Sequence, residues 1–251
     1  MSLFSLQGYV RVGSIGANGK PGKLRWLGNV PEASLALSTS NSDKNESFSG
    51  KRLQLGRLAT GTTAQFNMTM DEWSAENLAL AFQASVADIA ASTVTGEAFP
   101  TGLVVGDQVR LDHAFASSLV LTDSASGSPA TVDPSHYALV GHSGAVVEIR
   151  NLASYVQPFK AAYSHAAVQN LALFSAPSRE VYLQFDGINT ETIEPVLLDL
   201  WRVRFDPVSN LPLINAEYGN LPMAASVLYD PTKALDAALS GFGRLQLKKA
   251  S

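Results

Sequence analysis

Two stretches in the last third, VYLQFDG (181–187) and LLDLWRVRF (197–205), constrain this chain most. In the first, Val181, Leu183 and Phe185 alternate with Tyr182, Gln184 and Asp186. In the second, Trp201, Val203 and Phe205 alternate with Arg202 and Arg204. A period of two residues is the mark of a strand with one buried face. A nine-residue strand such as 197–205 spans about 30 Å, long for a small sandwich. The pattern predicts that Trp201, Val203 and Phe205 face the core and that Arg202 and Arg204 face away.

Shorter runs repeat this reading. ASLALS (33–38) places Leu35 and Leu37 on one face. Strands are also expected within 103–111, 118–123, 136–141, 145–150 and 157–165, with turn chemistry at Ser126-Gly127-Ser128-Pro129, Asp133-Pro134-Ser135 and His142-Ser143-Gly144. RLQLGRLATGTTAQFNMTM (52–70) alternates less cleanly around a turn-like ATGTT. One segment has helical spacing: in 69–85, Ala75, Leu78, Ala81, Phe82 and Ser85 share a face, and Thr69 with Glu72 has capping-box spacing. The expected fold on these grounds is mainly β, with one amphipathic α-helix packed on a sheet. No repeat or low-complexity linker divides the chain. Residues 1–251 read as one domain, with about 112–165 as an embellishment of it.

Composition narrows the function. Charged residues make up 16 %, a low share, while 46 % are apolar. A surface short of charge suits one that partners cover, and a large core has the same effect. The net charge of −4 and the lack of a basic block argue against tight binding to phosphate backbones. The absence of cysteine removes disulfides, thiolate metal sites and cysteine nucleophiles. MSLFSLQGYVRVGS does not read as a secretory signal, and no stretch approaches the roughly 18 apolar residues of a membrane helix.

Enzyme signatures fail on inspection. GANGKPG (16–22) lacks the flanking residues of a phosphate loop, with Ser at 14 and Pro at 21, and reads as a hairpin turn. GHSG (141–144) is followed by Ala145 and a strand, unlike a nucleophile elbow. His113, His136, His142 and His165 are scattered, and Asp107, Asp112 and His113 read as solvated strand ends. No cofactor, metal site or catalytic residue is expected. Two classes stay open on these grounds, a self-assembling structural protein and a β-sandwich carbohydrate-binding or hydrolase module.

The segment 181–231 resembles the C-terminal half of tail tube proteins of long-tailed, siphovirus-like bacteriophages. The shared features are Phe185-Asp186-Gly187-Ile188-Asn189, a long strand ending in Phe205-Asp206-Pro207, a Leu-Pro-Leu-Ile segment, and an acidic-aromatic-Gly turn into a further strand. ASLALS, the polar loop with Glu46-Ser47-Phe48-Ser49-Gly50, and a helix carrying Asn77-Leu78 occur in the same order as in that family. The resemblance covers most of 20–90 and 180–247, while 112–165 is similar to a β-hairpin region inserted in some members.

The resemblance implies two packed antiparallel sheets flanked by one α-helix, with long loops, in a structural subunit of a virion tail assembled in the host cytoplasm. Six copies would form a ring, and stacked rings a hollow conduit for DNA ejection. Implied partners are further copies of itself, a tape measure protein in the lumen, a tail tip or baseplate initiator, a tail terminator, and double-stranded DNA in transit without specific binding. No membrane is implied. The chain length favours a non-contractile tail; a contractile tail tube or related injection machine is the alternative.

The segment TSNSDKNESFSGKR (39–52) then becomes the candidate interface. The family's loop at this place reaches a neighbouring subunit or the next ring, which implies Phe48 as apolar anchor and Glu46, Lys51 and Arg52 as charges setting register. Arg202 and Arg204 are further interface candidates. The plain alternative is a solvated loop with Phe48 folded onto its own domain. A polar segment with one aromatic is expected to be mobile when unpartnered, because ordering costs about 1–2 kcal/mol per residue in the backbone alone.

Overall fold

The computed structural model describes residues 3–16, 20–234, 236 and 238–248. The chain is mainly β, with antiparallel sheets and one main helix, in agreement with the sequence reading. It divides into two compact units. The first takes in residues up to Val86 and from Leu171 onward, and the second takes in Ala87–Asn170. The second unit is thus wider than the 112–165 embellishment that the sequence suggested.

In chain order the elements are β1 (Leu6–Ile15), β2 (Pro21–Trp26), β3 (Glu32–Asn45), β4 (Gln54–Met70), α1 (Ala75–Phe82), β5 (Ser85–Ile89), β6 (Ser92–Ala98) and β7 (Gln108–Arg110). Then follow β8 (Ala116–Thr122), β9 (Tyr137–Val140), β10 (Val146–Ile149), β11 (Lys160–His165) and β12 (Val168–Ala172). The chain ends with β13 (Glu180–Asn189), β14 (Glu194–Phe205), β15 (Leu221–Val227), the single turn α2 (Pro231–Ala234) and β16 (Gly243–Leu247). Residues 17–19 of the GANGKPG turn lie outside the described residues, while its flanks pair as β1 and β2.

The first unit is built on an eight-stranded sheet in the order β2-β1-β13-β14-β15-β4-β3, with β16 pairing β14. One face collects Val10, Val12, Ala64, Phe66, Met68, Leu183, Leu200, Val203, Phe205, Met223 and Val227 in a single buried cluster. The register explains the sharing: Val12 pairs Leu183, Val203 pairs Val227, and Phe66 pairs Ala225. Leu78 and Ala81 of α1 close over this face.

The helix begins later than its sequence signal. Ser74 is the N-cap, its Oγ accepting the Asn77 amide at 3.2 Å. Thr69 is taken up in the β4 ladder opposite Glu32 and Pro222, so it caps nothing. Asn77 is buried and ties the helix down: Arg25 donates to its Oδ1 at 2.6 Å, and its Nδ2 donates to the Leu27 carbonyl at 2.8 Å.

The face assignment of β14 needs one correction. Between Val181–Val203 and Leu183–Leu200 the register shifts, so Trp201 and Arg202 stand opposite the single residue Tyr182. This bulge turns Trp201 onto the face opposite Val203 and Phe205. There it is still buried, 7 % exposed, beside Tyr182, and its indole N–H donates to the Ser240 carbonyl at 2.9 Å. Asp199 is buried on that face too, accepting from the Tyr182 hydroxyl and, at 3.0 Å, from Arg244. Burial and then the Asp199 carboxylate push the Tyr182 phenol well above its ordinary range.

The second unit has its own core, with Leu111, Leu121, Val147, Ile149, Phe159 and Tyr163 among its members. Two three-stranded sheets carry it, β7-β10-β9 and β6-β11-β8. GHSG is the turn between β9 and β10, with Gly141 and Gly144 at positive φ. Chain entry and exit are made by β5 and β12, which pair with each other.

Candidate assembly interface

The polar segment 39–52 is mostly strand. Residues 39–45 continue β3, and β3 pairs with β4 from Glu32–Thr69 to Asn45–Gln54. The expectation of a loop over this whole stretch is therefore corrected: residues 39–45 are strand. The ladder begun in the core runs on past it, and its backbone hydrogen bonds order residues whose side chains bury nothing. Only residues 46–53 form the turn. Two register shifts leave Thr60 and Leu55 as extra residues on β4. The turn-like ATGTT is thus a bulged strand, and its irregular alternation is the trace of that bulge.

Both faces of this arm are exposed. Every residue of β3 is exposed, as are the first ten of β4. That corrects the burial expected for Leu35 and Leu37. They lie on the core face, opposite Phe66 and Ala64, but β3 is the outermost strand and no further strand covers them. Exposed Leu53, Leu55 and Leu58 join Phe48 near the tip. Four large apolar side chains in so short a polar arm is the signal that the sequence reading reduced to one, because the bulges hide the spacing of the leucines.

Glu46 organises the tip. Its side chain folds inward, and its carboxylate accepts the amides of Phe48 and Ser49 at 2.8 Å, the Ser49 hydroxyl, and the Leu53 amide at 3.3 Å. Its backbone N–H donates to the Leu53 carbonyl at 2.8 Å. The Ser49 hydroxyl first, then the Ser49 and Phe48 amides, hold its pKa down to about 2. The shielding comes from the loop's own backbone. Glu46 is thereby committed to its own turn, where the sequence reading gave it a partner in another subunit.

The tight turn needs left-handed backbone at Gly50 (φ 74°) and Arg52 (φ 51°). Phe48 projects from it, 81 % exposed, and is not folded onto its own domain. Lys51 and Arg52 are exposed beside it. Lower on the arm, Asp43 pairs with Arg57 at 3.3 Å and accepts from Gln54 at 2.9 Å.

Arg202 and Arg204 are not part of this tip. They sit on β14, which reaches β4 only through β15 and only at Ala64–Met70. Arg202 makes a two-pronged pair with Glu180, Nε to Oε2 at 2.8 Å and Nη2 to Oε1 at 3.0 Å, and donates to the Tyr229 carbonyl. Arg204 is exposed and donates to the Ser178 hydroxyl at 3.1 Å.

The residues weighed for chemistry have structural surroundings. Asp107 accepts the Val104 amide at 2.9 Å within a turn, and the Asp112 amide donates to Glu97. His113 and His165, far apart in sequence, stack with centroids 4.2 Å apart. Tyr163 donates to Glu97 at 2.6 Å, and burial, then that carboxylate, push its phenol up to about 12. Among the described residues, no three His, Asp or Glu side chains are placed to share a metal ion, and no helix is long and apolar enough to cross a membrane.

A family model described as "Protein of unknown function UCP028589" matches residues 3–246, and the chain belongs to that family. No curated protein matches it.

Proposed function

We propose that this member of the family is a structural subunit of a phage tail tube, assembling into stacked six-membered rings that form a conduit for DNA. The observation that carries the reading is the β3–β4 arm. An isolated two-stranded ribbon exposed on both faces is at best marginal in water. This one keeps four large apolar residues exposed near its tip, with a turn fixed by its own glutamate. Such an arm suits a neighbouring subunit that covers it. β2 and β3 are outer strands of the main sheet. Edge-to-edge closure around a ring would cover both. The net charge of −4 fits a channel that lets DNA pass without holding it.

In this reading the tape measure protein, the tip initiator and the terminator are partners at the lumen and the two tube ends. The protein works in the virion tail and is assembled in the host cytoplasm. It is not an enzyme. Negative-stain microscopy over a range of protein and salt concentrations, with and without an initiator complex, tests this. Particles of uniform width and sixfold end views are expected. Monomers alone under every condition, initiator included, would sink it.

A further inference from the structure

At the far end of β4 from the arm tip lies a second exposed apolar feature. A cleft of about 460 Å³ is lined by Met70, Trp73, Leu78, Leu211, Leu213 and Tyr218, with Met70 the last residue of β4. Leu78 gives it a buried floor. Its rim is open: Trp73 and Leu213 are exposed, and Tyr218 is 101 % exposed. A group of large side chains this bare, around a formed cleft, marks an interaction site.

Charge separates the two ends. Around the tip, Lys44, Lys51 and Arg52 are exposed cations, while Glu46 is taken up by its own turn and Arg57 by Asp43. Around the cleft, Asp71 and Glu72 line the wall and Glu217 stands next to Tyr218, all exposed. Tip and cleft are thus opposite in sign and both apolar at the centre, the arrangement of an anchor residue within a charged rim.

Gln54 opens β4 at the tip and Met70 closes it at the cleft. Residues 54–70 of extended strand span about 50 Å. With β3 and β4 paired along this length, the tip lies far from its own cleft. We propose that the cleft seats the arm tip of a second copy of this chain, Phe48 entering beside Trp73 and Tyr218 with Lys51 and Arg52 against Asp71, Glu72 and Glu217. Donor and acceptor surfaces differ, so the contact is head-to-tail and propagates from copy to copy. The inference rests on the self-assembly reading and supplies the receiving surface which that reading lacks.

The chain has no cysteine, which makes engineered cross-linking clean. Protein carrying Ser47→Cys, which keeps the Phe48 anchor, is mixed with protein carrying Tyr218→Cys under mild oxidation. Both sites are exposed, and thermal melts of each variant check the fold. A covalent heterodimer should form much faster than between Ser47→Cys and a control cysteine at exposed Ile193. Adding Lys51→Glu and Arg52→Glu to the tip variant should cut the rate by about tenfold or more, and adding Glu72→Lys and Glu217→Lys to the cleft variant should restore it. Cross-linking at Tyr218 no faster than at Ile193 overturns the proposal. Microscopy separates the two readings. Uniform tubes without this cross-link sink the cleft assignment alone, whereas the cross-link without tubes under any condition keeps it and sinks the tube.

Discussion

The two halves of β4 differ sharply in burial. From Ala64 to Met70 the strand lies between β15 and β3, with alternate residues buried. From Gln54 to Thr63 it pairs with β3 alone, and every residue is exposed. The ladder is continuous across the change, apart from its bulges. Backbone pairing therefore sets how far the strand runs, and side-chain burial sets only which part of it stabilises the monomer. In the assembly proposed above, a neighbouring copy covers the bare half.

The sharpest way to break this comparison is to shorten one side chain in each half. Phe66 is 2 % exposed and Leu58 is 68 % exposed. Phe66→Ala should cost the monomer about 3–5 kcal/mol through the lost transfer energy and the cavity left behind. Leu58→Ala should stay within about 0.5 kcal/mol. Urea unfolding of both variants at the same concentration measures the contrast. A cost above about 2 kcal/mol for Leu58→Ala would mean that the arm packs against its own domain.

Strand β14 carries a similar contrast between neighbours. Trp201→Ala should destabilise by about 3–5 kcal/mol, since the indole is buried and its N–H is used, although it lies off the main core. Arg204→Ala should change stability by no more than about 0.5 kcal/mol, because Arg204 is exposed and holds one hydroxyl. Equal melting temperatures for wild type and Trp201→Ala would contradict the burial described for this ring.

These cases also mark what the sequence could express. Strands buried on one face were legible, because Val203, Phe205 and Leu183 keep their period. The bulge at Trp201–Arg202 was not, since one extra residue leaves the local alternation intact and moves only the side to which it refers. The helix was legible from Leu78 and Ala81. Its start was misplaced because Thr69 with Glu72 mimics a capping box, and only the ladder of β4 shows that Thr69 is already engaged. The arm was read as a loop because pattern reading sees side chains, and here the backbone does the ordering. Phe48 was found as a lone aromatic among polar residues. The cleft around Trp73 and Tyr218 was missed, because its walls come from segments far apart in sequence.

The turn itself offers a smaller, local effect. A carboxylate whose folded pKa lies below its unfolded value adds stability above the unfolded value and loses it as pH falls through the folded one. For Glu46 that window runs downward from about 4.5 to about 2. In the isolated protein, the Phe48 and Ser49 amide resonances should follow a titration with a midpoint near 2. A midpoint at the ordinary 4.5 would show that the turn does not hold Glu46 as described. Glu46→Gln should leave the global melting temperature nearly unchanged while speeding amide exchange at Phe48, Ser49 and Leu53, the three amides that the carboxylate accepts.

Phe48→Ala should perturb the monomer least. The ring is 81 % exposed and only its backbone amide is held, by Glu46, so truncation removes no internal contact of weight. Monomer stability should stay within about 0.5 kcal/mol of wild type. Assembly should slow or stop, because an anchor that is bare in the monomer contributes only once a partner covers it. Proteolysis adds a spatial readout to the same experiment. Trypsin should cut free protein first at Lys51 and Arg52, which lie in the turn, and only later at Lys44 and Arg57, which lie within the ladder. Assembled protein should be protected at all four sites. A Phe48→Ala protein that assembles at the wild-type rate would remove Phe48 from the interface, and with it the main reason for treating the bare half of β4 as one side of a contact.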